Sequence, residues 1–500
     1  MNDKRIKRLV VVGGGTAGWM AAAALARQLR PELYEVSVIE SSHINTIGVG
    51  ESIVPPVVAF IRNLGMNEQD FIQNTQASYK LGIQFRDWLG NGESYFHPFG
   101  ALGRKLDGHD FLQCWLKARS EGDSSSLMDY APAAVMAENQ RFALPFKLPL
   151  ESPLAGTNYA FHLDASLLHQ YLRWFAEERG VKRINAHVVR VNTAQSGNIE
   201  SLELNNRQTV AGDFFIDCSG FRGILIDETL SSPYQSWKHF LPCDRAVTVQ
   251  AAHSGAIPPY TISTARESGW TWRVPLQKRI SSGYVFSSDH CSDNQARKTL
   301  LDAVEGEPMH NPGMISFRAG MREQLWKKNC IALGLSGGFL EPLESAAIYL
   351  VTRGVQLMLE LFPDLQRDEQ NWPSLAAEYN ARMRMDYEEI RDFIILHYCT
   401  TTRADTEFWR FCRSNPIPDS LAAKIELFKA RGELRIADDS LFQESNWQAV
   451  LTGMGVIPRS YHPFIDLVDF NGIRQAMQAD RVQMDKAIQA LPTYRKFLGE

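Results

Sequence analysis

The chain has 500 residues, of which 44% are apolar and 22% charged, with a formal net charge of -5. That balance describes a soluble globular protein with room for about two to four domains. It excludes general attraction to nucleic acid, and no apolar run is long enough to cross a bilayer. The seven cysteines are scattered, odd in number and never spaced C-x-x-C, which predicts reduced thiols, a cytoplasmic setting and no metal site. Met1 to Arg8 is charged, but the apolar run after it is short and carries glycines, so it does not read as a signal peptide.

Leu9 to Val12 is an all-apolar run, the pattern of a parallel strand buried on both faces. Gly13-Gly14-Gly15-Thr16-Ala17-Gly18 follows, then an alanine-rich helix over Trp19–Leu29 and a strand over Tyr34–Glu40 that ends in an acid. This order is that of a dinucleotide site. Gly13 allows the turn, Gly15 lets backbone approach a pyrophosphate, Gly18 lets helix and strand pack, and Glu40 can hold ribose hydroxyls. Gly48-Val49-Gly50-Glu51-Ser52 reads as a second glycine turn, leading through Pro55-Pro56 to a helix over Val57–Leu64.

From Lys80 the chain alternates, with Leu81, Ile83 and Phe85 on one face and Lys80, Gly82, Gln84 and Arg86 on the other. Tyr95-Phe96-His97-Pro98-Phe99-Gly100 is an aromatic cluster. Residues 104–150 read as mixed and helical, and 159–179 as amphipathic with a helix start near Asp164. Strands are expected over Val181–Val191, Ile199–Leu204 and Ala211–Cys218, the last running into Ser219-Gly220. Leu241 to Tyr284 has strand character, and Trp270, Trp272 and Val274 share one face of it. Cys330 to Gly334 is a strand that delivers Gly337-Gly338-Phe339-Leu340-Glu341-Pro342-Leu343-Glu344-Ser345. Helices follow over Ala346–Leu361, Trp372–His397 and much of the tail, where Trp447 to Leu451 is amphipathic. The glycine turns at 13–18, 217–220 and 334–348 share one strand-to-turn logic, that of a single ligand at strand ends.

Together these segments resemble the flavin-dependent halogenases of the tryptophan halogenase family. The resemblance is carried by Gly13 to Trp19, Gly50-Glu51-Ser52, Tyr79-Lys80-Leu81-Gly82, Asp217 to Arg222, Gly269-Trp270-Thr271-Trp272-Arg273-Val274-Pro275 and Pro342-Leu343-Glu344-Ser345. The first motif is shared with many flavoproteins; the lysine and tryptophan segments are far more specific. The resemblance implies an α/β protein with an FAD-binding Rossmann-type, flavin monooxygenase-like fold, a mixed-sheet substrate region and a mainly helical C-terminal part. Residues 1–360 would form the FAD-binding domain with its insertions, and 361–500 the helical substrate-site region.

It also implies the chemistry. A separate NAD(P)H-dependent flavin reductase supplies FADH2, and oxygen and a halide ion (chloride or bromide) give hypohalous acid. That acid reaches a lysine beside an electron-rich aromatic, an indole or tryptophan-like small molecule or a peptide-borne ring. The family's catalytic residues fall on Lys80 and Glu344. Cofactor contacts fall on Gly13, Gly15, Thr16, Ala17, Gly18, Glu40, Glu51, Val188, Leu335 and Ile348, and the halide backbone on Ala346 and Ala347. His97, Phe99 and Trp447 match the substrate pocket, and Trp270 and Trp272 the wall between flavin and substrate. No metal is implied, and a homodimer is an assembly open to the family.

One departure stands out. Many members have Thr-Gly where this chain has Ala346-Ala347. Backbone N–H groups remain, but a hydroxyl and glycine's freedom are gone, so the chosen halide, and retention of halogenation itself, stay open. No amino-acid clamp is legible in the C-terminal part. Two alternatives follow: an aromatic monooxygenase of the same fold, or a flavin-binding member that has lost halogenation.

Overall fold

Leu9, Val10, Val11 and Val12 are all at most 3% exposed, because a parallel strand lies on each side of them. Strand Arg8–Val12 pairs in parallel with Glu35–Glu40 and with Phe214–Asp217. These belong to a six-stranded sheet that continues outward to Lys182–Asn185 on one side and to Cys330–Ala332 and Trp326–Lys327 on the other. The structure, a computed structural model, describes residues 7–42, 50–90, 92–253, 255, 257–363 and 371–499.

Two compact units emerge, each assembled from three stretches of chain. The first comprises Met1–Ala77, Leu163–Leu241 and Ser316–Glu388. Its six-stranded sheet, parallel except for the antiparallel edge strand Trp326–Lys327, is covered by helix Thr16–Gln28, which packs against helices Ala165–Glu177 and Ala347–Glu360. A three-stranded antiparallel sheet, Val188–Thr193, Ile199–Leu204 and Thr209–Ala211, adds Ile199, Leu202 and Leu204 to the same core as Val10, Val12 and Ile39.

The second unit comprises Ser78–His162, Pro242–Ile315 and Glu389–Glu500. Its centre is a seven-stranded sheet in which Arg245–Ala252, Arg279–Phe286, Gly269–Pro275, Thr261–Arg266, Gly82–Arg86 and Ser94–Pro98 follow one another. Every pair in that run is antiparallel except Thr261–Arg266 with Gly82–Arg86. The 28-residue helix Trp372–Cys399, which belongs to this unit from Glu389 on, leads into five further α-helices, ending with Phe470–Gln489 and Tyr494–Leu498. The mixed α/β class, the mixed sheet and the helical C-terminal part are therefore as the sequence implied. Among the described residues no helix is long and apolar enough to cross a membrane.

Several boundaries differ from expectation. The single strand expected over Val181–Val191 is two, Lys182–Asn185 and Val188–Thr193, in different sheets. The Ala186 N–H gives the last bond to the neighbouring strand at the Glu40 carbonyl, where that strand also ends, and the chain turns there. Gly50–Ser52 is a short strand rather than a turn, and Gly48-Val49 lies outside the described residues. The alternation expected from Lys80 breaks at Leu81, whose N–H reaches the Pro259 carbonyl instead of continuing one strand. Pro55 opens its helix, where the missing N–H costs nothing. The strand expected from Ala211 begins at Phe214.

Candidate functional site

In the first unit the glycine turn joins strand Arg8–Val12 to helix Thr16–Gln28. Gly13 has φ +106°, and a Cβ there would stand 2.1 Å from the Cys218 carbonyl oxygen. A Cβ on Gly18 would meet the Gly13 carbonyl at 1.9 Å, whereas one on Gly15 would meet nothing within 4 Å. Two of the glycines thus serve close packing, and the third borders open space. Gly13 to Ala17 are partly exposed, and no side chain caps the helix that Gly15, Thr16, Ala17 and Gly18 open. Exposed, uncapped N–H groups at a positive helix end are what a pyrophosphate needs. The residues present fit the pyrophosphate of FAD.

Glu40 ends the second strand, as read from the sequence. It accepts from Trp19 Nε1 at 3.0 Å and from Arg183, with His169 Nε2 at 3.6 Å. Burial works to raise its pKa, but the bonds from His169, Arg183 and Trp19 outweigh it and hold the carboxyl at about 2. A folded pKa below the unfolded one stabilises the protein above the unfolded value, and that stability is lost as pH falls toward 2. Glu40→Gln is therefore expected to lower unfolding free energy by about 1–2 kcal/mol at pH 7, allowing for solvent screening, and by nothing near pH 2. Urea titrations of both proteins across that range check it.

Glu51 behaves in the opposite way: some of its surface reaches solvent, yet burial pushes the carboxyl up to about 7. Val188 opens the hairpin strand and packs against the core of the parallel sheet.

The second loop of this unit starts where strand Cys330–Ala332 ends. The Ser336 hydroxyl donates to the Asp217 carbonyl, and the Leu333 N–H reaches the same oxygen at 2.9 Å, so two of the glycine turns are tied together. Arg322, 3% exposed, pins this loop through its backbone N–H to the Gly337 carbonyl at 2.7 Å, and an ion pair to Asp227 at 2.7 Å holds its guanidinium. Leu335 is half-buried within the loop. A short turn, Pro342–Glu344, then leads to Ser345 at φ +60° and to helix Ala347–Glu360. Glu344 is 1% exposed, Ile348 is buried, and Ala346 stands at the N-cap with no side-chain cap on the helix and no acid in its first turn. The N–H groups around Ala346 and Ala347 form a positive end suited to a small anion.

In the second unit Lys80 ends the short strand Ser78–Lys80, which pairs with Ala160–Asp164. It is 0% exposed, and its Nζ lies 4.9 Å from the centre of the Phe99 ring. Gly82 follows because a Cβ there would strike the His97 carbonyl at 2.3 Å and the Phe96 ring at 2.7 Å. His97 and Phe99 face a group of rings. His97 lies 5.5 Å from Phe393 and 6.2 Å from Phe442, Phe393 and Phe442 stack at 3.9 Å, and Trp447 meets Phe393 edge-on at 4.9 Å. Asn446 donates to His97 Nε2 at 2.9 Å. The Trp447 indole N–H is buried without a hydrogen-bond partner among the described residues.

Trp270 and Trp272 sit on strand Gly269–Pro275, their rings 6.1 Å apart. Trp270 is 1% exposed, and its N–H too lacks a partner among the described residues. Trp272 lies across Gly283, where a Cβ would be 2.2 Å from the ring.

The expected residues thus fall into two sets. The glycines, Glu40, Glu51, Val188, Leu335, Glu344, Ala346, Ala347 and Ile348 lie in the first unit; Lys80, His97, Phe99, Trp270, Trp272 and Trp447 lie in the second. Sequence reasoning missed Phe393, Phe442 and Asn446 beside His97. Only Asn446, next to Trp447, had a signal within reach.

The family pattern for tryptophan halogenase matches residues 8–469. The chain is 33% identical over 528 residues to the tryptophan 6-halogenase SttH of Streptomyces toxytricini, covering 100% of this chain and 99% of that protein. It is 30% identical to the tryptophan 7-halogenase RebH of Lentzea aerocolonigenes, with 99% of each covered. Among solved structures, BrvH, a flavin-dependent halogenase from Brevundimonas sp. BAL3, superposes with a TM-score of 0.94 at 40% identity over 99% of both chains. Xcc4156, a flavin-dependent halogenase from Xanthomonas campestris, has a TM-score of 0.94 at 40% identity, covering 99% of this chain and 98% of that one.

Proposed function

The chain belongs to the tryptophan halogenase family of flavin-dependent enzymes, and from that premise we propose that it halogenates an electron-rich, indole-like aromatic through the amine of Lys80. The observation that carries this reading is the complete burial of Lys80 against Phe99. A surface lysine keeps its ammonium in water. A lysine enclosed among rings is held where an amine can bind and present an electrophilic halogen.

Bound FADH2 would supply the two electrons with which oxygen converts a halide ion and a proton to hypohalous acid and water. The chain's own residues do the rest. Gly13, Gly15, Thr16, Ala17 and Gly18 hold the pyrophosphate, with Glu40, Glu51, Val188, Leu335 and Ile348 as further cofactor contacts. The backbone at Ala346 and Ala347 takes the halide. Trp270 and Trp272 wall the passage, and His97, Phe99 and Trp447 seat the ring. Glu344 removes the proton that the ring loses when it gains halogen. Enzymes of this kind draw reduced flavin from a separate reductase.

Ala346-Ala347 offers neither a hydroxyl nor glycine's conformational freedom, which favours the larger, more weakly hydrated halide. With reductase, FAD, indole and equal bromide and chloride, brominated product is expected to exceed chlorinated product by roughly tenfold, or about 1.4 kcal/mol. Mass spectrometry of a panel of indoles reads this ratio. A panel without a single halogenated product sinks the proposal.

A further inference from the structure

Behind Lys80 stands a buried histidine that the mechanism above does not use. In the ribbon formed by Ser78–Lys80 and Ala160–Asp164, Ser78 is directly opposite His162, and Lys80 is opposite Ala160. Directly opposed residues share a face, and so do residues two apart on one strand. Ser78, Lys80 and His162 therefore all leave the same side. Ser78, Lys80 and His162 are each 0% exposed.

The hydrogen bonds, together with burial, fix the state of the ring. The Ser78 hydroxyl donates its single proton to the Pro275 carbonyl at 2.6 Å. At its 3.3 Å contact with His162 Nδ1 it can then only accept, so Nδ1 carries the ring proton. Nε2 is left to accept from the Thr261 hydroxyl at 2.9 Å. Both nitrogens are committed, and with the ring kept neutral by its burial the single proton lies on Nδ1 and Nε2 accepts. Burial, and after it the charges of Lys80 and Arg273, push its pKa well below the usual histidine value.

The partners explain what this arrangement does. Pro275 ends the strand that carries Trp270 and Trp272, and Thr261 opens the strand paired with it. Ser78 and His162 thus rivet the lysine ribbon to the tryptophan sheet at two points.

We propose that His162 is a positioning residue for Lys80: a neutral imidazole pinned at both nitrogens that fixes where the amine stands relative to the tryptophan strand and keeps a second positive charge away from it. This rests on Lys80 being the reactive amine.

Two measurements test it, on the full chain. The first is 15N NMR of histidine-labelled protein without flavin, expected to show His162 protonated at Nδ1 and unchanged from about pH 5.5 to 8.5, a span around the free-histidine value. A ring that titrates in that span, or that carries its proton on Nε2, overturns the proposal. The second is the ratio of brominated indole formed to folded, flavin-binding protein, with FAD, reductase and bromide, because free reduced flavin reacts with oxygen unaided and its oxidation does not count folded enzyme. Misplacing the amine lowers this ratio, whereas loss of folded protein alone leaves it unchanged.

Thr261→Val keeps the shape and removes the donor, and is expected to cut the ratio by about ten- to a hundredfold, while Thr261→Ser restores it. Should Thr261→Val not fold, Ser78→Ala replaces it, with the same expected fall. If Lys80→Met leaves the ratio at the parent value, the amine reading fails and this inference with it. If Lys80→Met abolishes product but the folded Thr261 or Ser78 variant keeps the parent ratio, the positioning role alone is overturned.

Discussion

Lys80→Met is expected to abolish halogenation while leaving the protein folded. The substitution keeps an unbranched apolar stem of similar length and removes only the amine. Lys80 is 0% exposed, with its Nζ over Phe99 and its ribbon held by Tyr494, whose hydroxyl reaches the Tyr79 carbonyl at 2.8 Å. Removing one member of a buried interaction costs about 3–5 kcal/mol, so the melting temperature should fall, within a total stability of about 5–15 kcal/mol, and activity is compared on the folded fraction. Product formation should fall by about 10³-fold or more, the scale of losing a group that acts directly on the reacting atoms. Oxidation of reduced flavin should continue, because the glycines that fit the cofactor belong to the other unit's residues. A variant that halogenates like the parent would remove Lys80 from the mechanism.

The second large effect concerns the glycine turn, where two neighbouring positions should fail in different ways. Gly13→Ala places a Cβ 2.1 Å from the Cys218 carbonyl, on a backbone at φ +106°. Left-handed strain and overpacking each cost about 1–3 kcal/mol, against a total stability of about 5–15 kcal/mol. Most of the protein is expected to be insoluble or to melt at a much lower temperature. Gly15→Val meets no atom within 4 Å, at an ordinary φ of -73°. It should fold with a loss of about 1 kcal/mol or less, yet lose FAD affinity by about a hundredfold, because its side chain fills the space that the pyrophosphate requires. Thermal melts with flavin titrations separate the two. Equal loss of flavin binding and of stability in both variants would deny the turn its cofactor role.

What the sequence disclosed follows from how local each signal is. Strand Arg8–Val12, its glycine turn and helix, and the acid at Glu40 are legible because burial on both faces and tight turns each leave a mark within a few residues. The Trp270–Trp272 strand is legible for the same reason. The break inside Val181–Val191 is not, since Val and Ile recur on both sides of Asn185-Ala186-His187, and the end of the pairing beside Glu40 shows only in the folded sheet. Likewise, nothing near His97 announces Phe393 or Phe442, which arrive from a distant helix and loop. His162 meets Ser78 across 84 residues and Thr261 across 99, so its fixed tautomer is a property of the folded sheet alone. Lys80 lies between these cases: its motif singled it out, while its burial became visible only in three dimensions.

The central claim is that this chain transfers halogen, and not oxygen, to an aromatic ring. Its most direct test is turnover of indole under 18O2 with FAD, a flavin reductase and bromide, read by mass spectrometry of the product. The account predicts a product that gains one bromine in place of one hydrogen and carries no 18O. A product that carries one 18O and no bromine would contradict it and make the protein a monooxygenase.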